Sequence, residues 1–197
     1  MKRRHIIIGA GAAATLAACG EAIDENAFGG APVEVTELDE KLSALRAAFD
    51  AAAGCVRLLF VVGPSCGPCL RGLIDMDKEL GERLLSDARL KVFVVHVPTL
   101  SAELHHAQRA AKLLQGSSVR NFWDPSGRSG DVVQQTLQIP EYAWDVWLTY
   151  DPGDLWQGDA PPAPATWSHQ LGALDKGTRL EPASFAADVR KRVGELN

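Results

Sequence analysis

Apolar positions along the chain switch repeatedly between helical spacing and unbroken short runs. Leu38, Leu42, Leu45 and Phe49 recur at one-face helical intervals. Thr36, with Asp39 three residues on, supplies a start signal and Gly54 a stop, so a helix is predicted between them. Val56–Val62 (VRLLFVV) is almost continuously apolar, as a strand buried on both faces must be. Beyond Gly63-Pro64, Leu70, Leu73, Ile74, Leu80 and Leu84 mark a second helix. Lys91–Val97 predicts another buried strand, closed by Pro98, and Ser101 is placed to cap a helix bearing Leu104, Ala107, Ala111 and Leu114.

The remainder is built from shorter pieces. A strand over Val119–Trp123 leads into the turn Asp124-Pro125-Ser126-Gly127, a brief helix over Asp131–Leu137 and a strand over Trp144–Tyr150. Asp151-Pro152-Gly153-Asp154 is a turn, and Asp159–Thr166 (DAPPAPAT) excludes regular helix or central strand. Pro182 suits the first turn of a last helix carrying Phe185, Val189, Val193 and Leu196. No internal repeat is visible. Strand and helix alternate, so the class is α/β with a mainly parallel sheet.

The first eighteen residues follow a different logic. Lys2, Arg3 and Arg4 precede an uncharged run, Ile6–Ala18, too short to span a bilayer and long enough for an export signal. It ends in Leu16-Ala17-Ala18-Cys19, which resembles the lipobox of bacterial lipoproteins and makes Cys19 the lipidation site and new N-terminus. Arg3-Arg4-His5-Ile6-Ile7 also resembles a loose twin-arginine motif, so the export route stays open. Gly20 follows, where an aspartate would resemble an inner-membrane retention signal; an outer-membrane anchor facing the periplasm or outside is favoured. Residues 19–35, with Gly29-Gly30 and Pro32, read as a tether, and 36–197 as one domain.

Composition narrows the partners. The 197 residues are 46% apolar with a formal charge of −5; residues 1–18 carry three basic and no acidic groups, so the 179-residue remainder stands at −8. An acidic domain of this kind is not built for nucleic acid. Four cysteines are too few for a disulfide-scaffolded mini-protein, and an exported chain reaches a compartment that permits disulfides.

Chemistry concentrates in Gly63-Pro64-Ser65-Cys66-Gly67-Pro68-Cys69, between a buried strand and a helix. Cys66 at the helix N-terminus meets unpaired backbone N–H groups and the positive end of the dipole, which favour thiolate. Cys69 lies one turn inside on the same face, near enough to close a disulfide, and Pro68 fits the first turn. The expected reaction is attack by Cys66 on a partner's disulfide, followed by attack of Cys69 on the mixed disulfide. A lone CxxC offers half of a zinc set, so redox chemistry is favoured over a structural metal.

Cys66-Gly67-Pro68-Cys69 is identical to the active-site tetrapeptide of thioredoxin, and over residues 50–150 the strand–CxxC–helix order resembles the thioredoxin superfamily. With the leader and tether, the chain resembles membrane-anchored thioredoxin-like reductases of the TlpA/ResA kind, whose Asp-x-x-Gly turn Asp124–Gly127 also matches. The resemblance implies a thioredoxin-like fold, a central mixed sheet with helices on both faces, with residues of about 151–181 as a Pro/Trp-rich insertion. It implies an oxidoreductase that needs no cofactor, reduces disulfide-bonded envelope proteins, and draws electrons from a membrane thiol donor. Three positions depart from the family: Ser65 replaces an aromatic residue, Phe60 stands where a buried acid is usual, and Trp144-Asp145 falls where a cis-proline is expected, Pro140 being the other candidate. Asp145 beside the thiols would oppose thiolate formation, or act as the missing base.

Other residues carry competing readings. His96 ends the neighbouring parallel strand, at the edge where open α/β sheets host chemistry, and either tunes the thiol, binds metal or is structural. An oxidase or isomerase within the same class, a soft-metal chaperone using Cys66 and Cys69 with or without His96, and a redox-inert adaptor are the rival functions. Cys55 reads as a packed thiol, His105 and His106 as solvated. Trp144, Trp147, Trp156 and Trp167 cluster near Tyr142; Trp156 and Trp167 flank the Pro-rich loop as core or as an aromatic docking surface.

Overall fold

Two parallel strands buried on both faces organise the fold. In the computed structural model, which describes residues 28–172 and 174–196, β2 (Val56–Val62) and β3 (Leu90–His96) run side by side. Val56 pairs with Leu90 and Val62 with His96. Outside β3 lie β4 (Val119–Trp123) and then β1 (Val35–Glu37), both parallel. On the other flank β5 (Val146–Tyr150) and β6 (Thr166–His169) run antiparallel, and β7 (Thr178–Arg179) closes the edge parallel to β6. The order is β1-β4-β3-β2-β5-β6-β7, and four of the six pairings are parallel. A mixed, mostly parallel α/β sheet is therefore present.

The strand period sorts β2 onto two cores. Leu59 and Val61 join Phe93 and Phe122 beneath α1 (Ser43–Ala51) and α4 (Arg128–Leu137), through Leu45, Phe49, Val132 and Val133. Leu58, Phe60 and Val62 join Val92 and Val94 beneath α2 (Gly67–Leu85) and α5 (Pro182–Gly194), through Leu73, Met76, Phe185 and Val189. A shorter α3 (Leu104–Ala110) sets Ala107 against Trp123. α2 is kinked at Gly81, whose φ of 72° is easy only for glycine. Among the described residues no helix is long and apolar enough to cross a membrane; the leader and Cys19 lie outside them.

Arg57 is the one cation in this all-buried strand; both terminal nitrogens of its guanidinium are used, while its Nε has no partner. It lies over the Phe49 ring at 4.4 Å and donates to the carbonyls of Asp151 and Asp154. β2 is thereby tied to the turn that follows β5. Trp156, just past that turn, packs edge-on against Phe49 at 5.8 Å, and its backbone N–H donates to Asp50 Oδ1 at 2.7 Å.

Several boundaries differ from the sequence expectation for physical reasons. Residues 35–37 form a strand, because the open edge of β4 offers them backbone partners. The helix expected to start at Thr36 begins instead at Ser43, after Leu42 as N-cap in left-handed conformation, with Asp39 Oδ1 accepting from Ser43 N at 2.8 Å. Ser101 sits in a 3₁₀ turn over Thr99–Ser101, and α3 is instead capped by Glu103, with His106 Nδ1 accepting from Glu103 N at 3.1 Å. α4 starts at Arg128, three residues early, since the Asp124 carboxylate collects Ser126 N, Ser129 N and both hydroxyls. The 151–181 segment supplies β6, which extends the sheet beside β5.

Replacing Arg57 with Met should leave two half-buried carbonyls without donors and destabilise the protein by about 2–4 kcal/mol. Urea unfolding measures the loss. The alkylation rate of Cys66 should not change, because Arg57 faces the opposite core.

Candidate functional site

The carboxyl ends of β2 and β3 and the start of antiparallel β5 meet at one edge of the sheet. The chain leaves β2 through Gly63-Pro64-Ser65 and turns into α2. A side chain at Gly63 would collide with Thr99 Oγ1 and crowd the Trp144 ring, so the turn has room only for glycine. Cys66 is the N-cap of α2 in extended conformation, and its Sγ accepts from Cys69 N at 3.4 Å. Pro68 lies in the first turn, where it costs no hydrogen bond. Gly63 N donates to Cys69 Sγ, also at 3.4 Å. Both thiols are free; Cys69 is fully buried and Cys66 is 5% exposed.

These contacts split the two thiols. The bond from Cys69 to Cys66 holds the Cys66 thiol below its ordinary value; the Cys69 N–H helps, while burial and Asp145 oppose. Cys69 is pushed well up, first by burial, then by donating to Cys66 and by facing Asp145. Cys66 is thus the group that ionises first, and Cys69 keeps its proton.

Asp145 completes the site. It immediately precedes β5, in left-handed conformation at φ 54°, which an aspartate tolerates better than most residues. That conformation delays the strand to Val146 and turns the carboxylate toward α2. One carboxylate oxygen and the two sulfurs all lie within 4.8 Å of one another. Asp145 Oδ1 accepts from Trp147 Nε1 at 3.1 Å. Gln170, its amide nitrogen turned to the site, donates to the same oxygen at 2.9 Å and to Pro68 O at 3.2 Å. Burial raises Asp145 to about 6, the Trp147 and Cys69 hydrogens and then the Arg179 charge pulling it back.

The neighbouring expectations divide. No cis peptide bond occurs among the described residues, and Pro140 is exposed, so Trp144-Asp145 occupies the position opposite the dithiol. Phe60 does not supply an acid; it packs on Trp147 at 4.5 Å and Phe185 at 5.9 Å, an apolar wall in the same cluster as Cys69. Ser65 Oγ donates to Thr99 O at 3.2 Å, which holds a turn with Leu100 64% exposed beside the thiols. His96 is fully buried with its Nε2 on Asn121 Oδ1 at 3.1 Å; it does not join the thiol–carboxylate trio, and burial lowers it to about 4. Two thiols and a hard carboxylate fall one donor short of a zinc set, and His96 does not fill the gap.

Of the remaining candidates, Cys55 is half-buried at the far end of β2, donating to Ala88 O at 3.5 Å. Trp156, read as core or docking surface, is core; Trp167 is half-buried against Gly177. Trp147 and Gln170 were not singled out for the site. The strand period could have placed Trp147 beside Asp145, whereas Gln170 arrives only through the pairing of β6 with β5. Comparison of the chain with protein-family models and with curated proteins finds no match.

The buried acid and the buried histidine pull stability in opposite directions with pH. Asp145 at about 6 against an ordinary 3.8 binds its proton more tightly when folded, so its contribution is present at low pH and lost as pH rises to about 6. His96 at about 4 against 6.5 is held neutral, so its contribution is present at high pH and lost as pH falls from about 6.5 toward 4. Asp145→Asn should therefore gain on the order of 2 kcal/mol over the native protein at pH 7 and nothing near pH 4. Urea midpoints across that range test it; an equal gain at both ends would contradict it.

Proposed function

We propose that this protein is a thioredoxin-like thiol–disulfide oxidoreductase, lipid-anchored through Cys19, that reduces disulfides of envelope proteins. The observation that carries the reading is the unequal dithiol: Cys66 capping α2 with a lowered pKa, Cys69 buried behind it with a raised one. A nucleophile that ionises early and a resolver that keeps its proton are what sequential thiol–disulfide exchange requires. The mixed sheet with helices on both faces, and the dithiol at the carboxyl edge of β2, are compatible with the thioredoxin-like arrangement that the Cys-Gly-Pro-Cys motif resembles. The envelope location is supported by the order of basic start, apolar run and Leu16–Cys19 box.

Reduction rather than oxidation is supported by electrostatics. A strongly oxidising dithiol owes its potential to a well-stabilised reduced thiolate. Here Asp145 is the smallest of the influences on a thiol that is lowered overall, but it opposes the thiolate, which limits that stabilisation and favours electron donation. Such a protein needs a thiol donor in the membrane to be recharged. Exposed Leu100 beside the thiols offers an apolar contact to a protein partner. The soft-metal alternative is disfavoured, since the third donor at hand is a hard oxygen.

Cys69→Ser should trap mixed disulfides on Cys66 in the envelope, and adding Cys66→Ser should abolish them. The dithiol potential should fall nearer about −270 mV than about −120 mV. Recovery of no mixed disulfide from Cys69→Ser would refute the oxidoreductase reading. A potential near the upper value would reverse its direction.

A further inference from the structure

The resolving step poses a problem that Cys66 cannot solve. In the reduced dithiol, Cys69 donates its hydrogen to Cys66, a contact that favours negative charge on the Cys66 sulfur. Once Cys66 is bonded to a partner sulfur, that negative charge is gone. Cys69 is fully buried, so the proton it must shed needs an acceptor inside the protein. The usual place for an acid in the active-site strand holds Phe60, and His96, with Nε2 on Asn121 and Nδ1 without a partner, lies outside the thiol–carboxylate trio.

We propose that Asp145 is the catalytic base for Cys69, working from the loop before β5 and held in place by Gln170. This rests on the dithiol reading above. Its geometry has three parts. The carboxylate lies within 4.8 Å of both sulfurs. Trp147 Nε1–H and the Gln170 amide both fall on Oδ1, fixing the group and leaving Oδ2 to take a proton. Gln170 also spans from Asp145 to Pro68 O between the two cysteines, and its backbone N–H donates to Asp145 O at 3.1 Å, so β6 and α2 set the carboxylate's position together.

The step balances without any further reactant. The partner disulfide has already accepted the Cys66 thiolate, releasing one partner thiolate. The Cys69 proton then moves to the Asp145 carboxylate. The Cys69 thiolate attacks Cys66 Sγ, the Cys66–partner bond breaks, and its electron pair leaves with the second partner sulfur. The Asp145 proton passes to that thiolate or to solvent. Two electrons move from the dithiol to the partner disulfide, and Asp145 returns as carboxylate.

The carboxylate acts differently in the two steps. Its charge disfavours both thiolates, and only as proton acceptor does it serve Cys69, so its removal should split the kinetics. The titratable and charged groups facing Asp145 are Cys66 and Cys69 from α2 and Arg179 from β7. The Arg179 guanidinium donates to Leu171 O and Gly172 O. His169, beside Gln170, accepts from Leu171 N through Nδ1 at 3.1 Å. Neutral Trp147 is the contact from β5 itself.

Reduced full-length protein reacting with dithiobis(nitrobenzoate) separates the steps, because one coloured nitrothiobenzoate leaves as Cys66 attacks and a second as Cys69 resolves. In the native protein the second phase should accelerate through about pH 6 as Asp145 ionises. In Asp145→Asn the first phase should persist, shifted to lower pH, while the second slows about 100-fold and loses its inflection. Gln170→Leu should keep both phases but move the inflection to higher pH, since the carboxylate loses an N–H donor. A second phase in Asp145→Asn within about threefold of native, or slowed equally at every pH, overturns the proposal. If that variant loses the first phase through misfolding, an unmoved inflection in Gln170→Leu overturns it. Absence of any first phase in the native protein overturns the dithiol reading as well, which keeps the two failures distinct.

Discussion

The constraint behind this site is the burial of a carboxylate beside two thiols. Three groups able to carry negative charge occupy a space less than 5 Å across, and they cannot all ionise together. The helix N-terminus decides which does so first, by placing the Cys69 N–H on Cys66 Sγ and leaving Cys69 deeper in the apolar cluster. Asp145, with two N–H donors on one oxygen, is more costly to ionise than a surface aspartate yet easier than Cys69. The order Cys66 against Cys69, with the carboxylate poised near neutrality, follows from which hydrogens reach which atom.

The scaffold serves that arrangement through two flanks of one strand. β2 delivers Cys66 at its carboxyl end, paired to β3 on one side and to β5 on the other. Because β5 is antiparallel, its first residue and the last residue of β2 meet at the same edge, so Asp145 reaches the thiols without a long loop. The opposite face of β2 carries the Arg57 tie to the Asp151–Asp154 turn, which fixes the far end of β5. The pair β2–β5 is therefore pinned at both ends, by a guanidinium at one and by the Gln170–Asp145 bonds at the other. A site that depends on distances of a few ångströms benefits from such double anchorage.

What the sequence made legible was whatever repeats locally. The two buried runs at 56–62 and near 91–97 and the helices of Leu70–Leu84 and Phe185–Leu196 announce themselves by period, and all four are present. The CxxC pair was readable because its placement between strand and helix is local. The misread pieces are those that take their conformation from distant partners. Val35–Glu37 is a strand because β4 has a free edge; β6 and β7 are too short to show a period, and exist through pairing with β5 and with each other. Asp145 could be counted into the site, while Gln170 could not: nothing near it in the chain marks a neighbour of the dithiol. His96 does end β3 at the edge that carries the thiols, yet its side chain turns along the sheet to Asn121, a choice made by a residue on another strand.

On the proposed thioredoxin-like reading, the departures at Phe60 and Asp145 are better understood as one change than as two. A buried acid within the central strand would sit among Trp147 and Phe185, where those rings now pack against Phe60. Moving the carboxylate to the start of β5 leaves that core apolar and places the charge where an indole and an amide can support it. The move has an electrostatic consequence, since the carboxylate now faces Cys66 as well as Cys69. A charge that sees both sulfurs weakens both thiolates, which suits a dithiol that gives electrons away more than one that takes them. On the proposed reading, the direction of electron flow is written in the location of one aspartate rather than in the tetrapeptide alone.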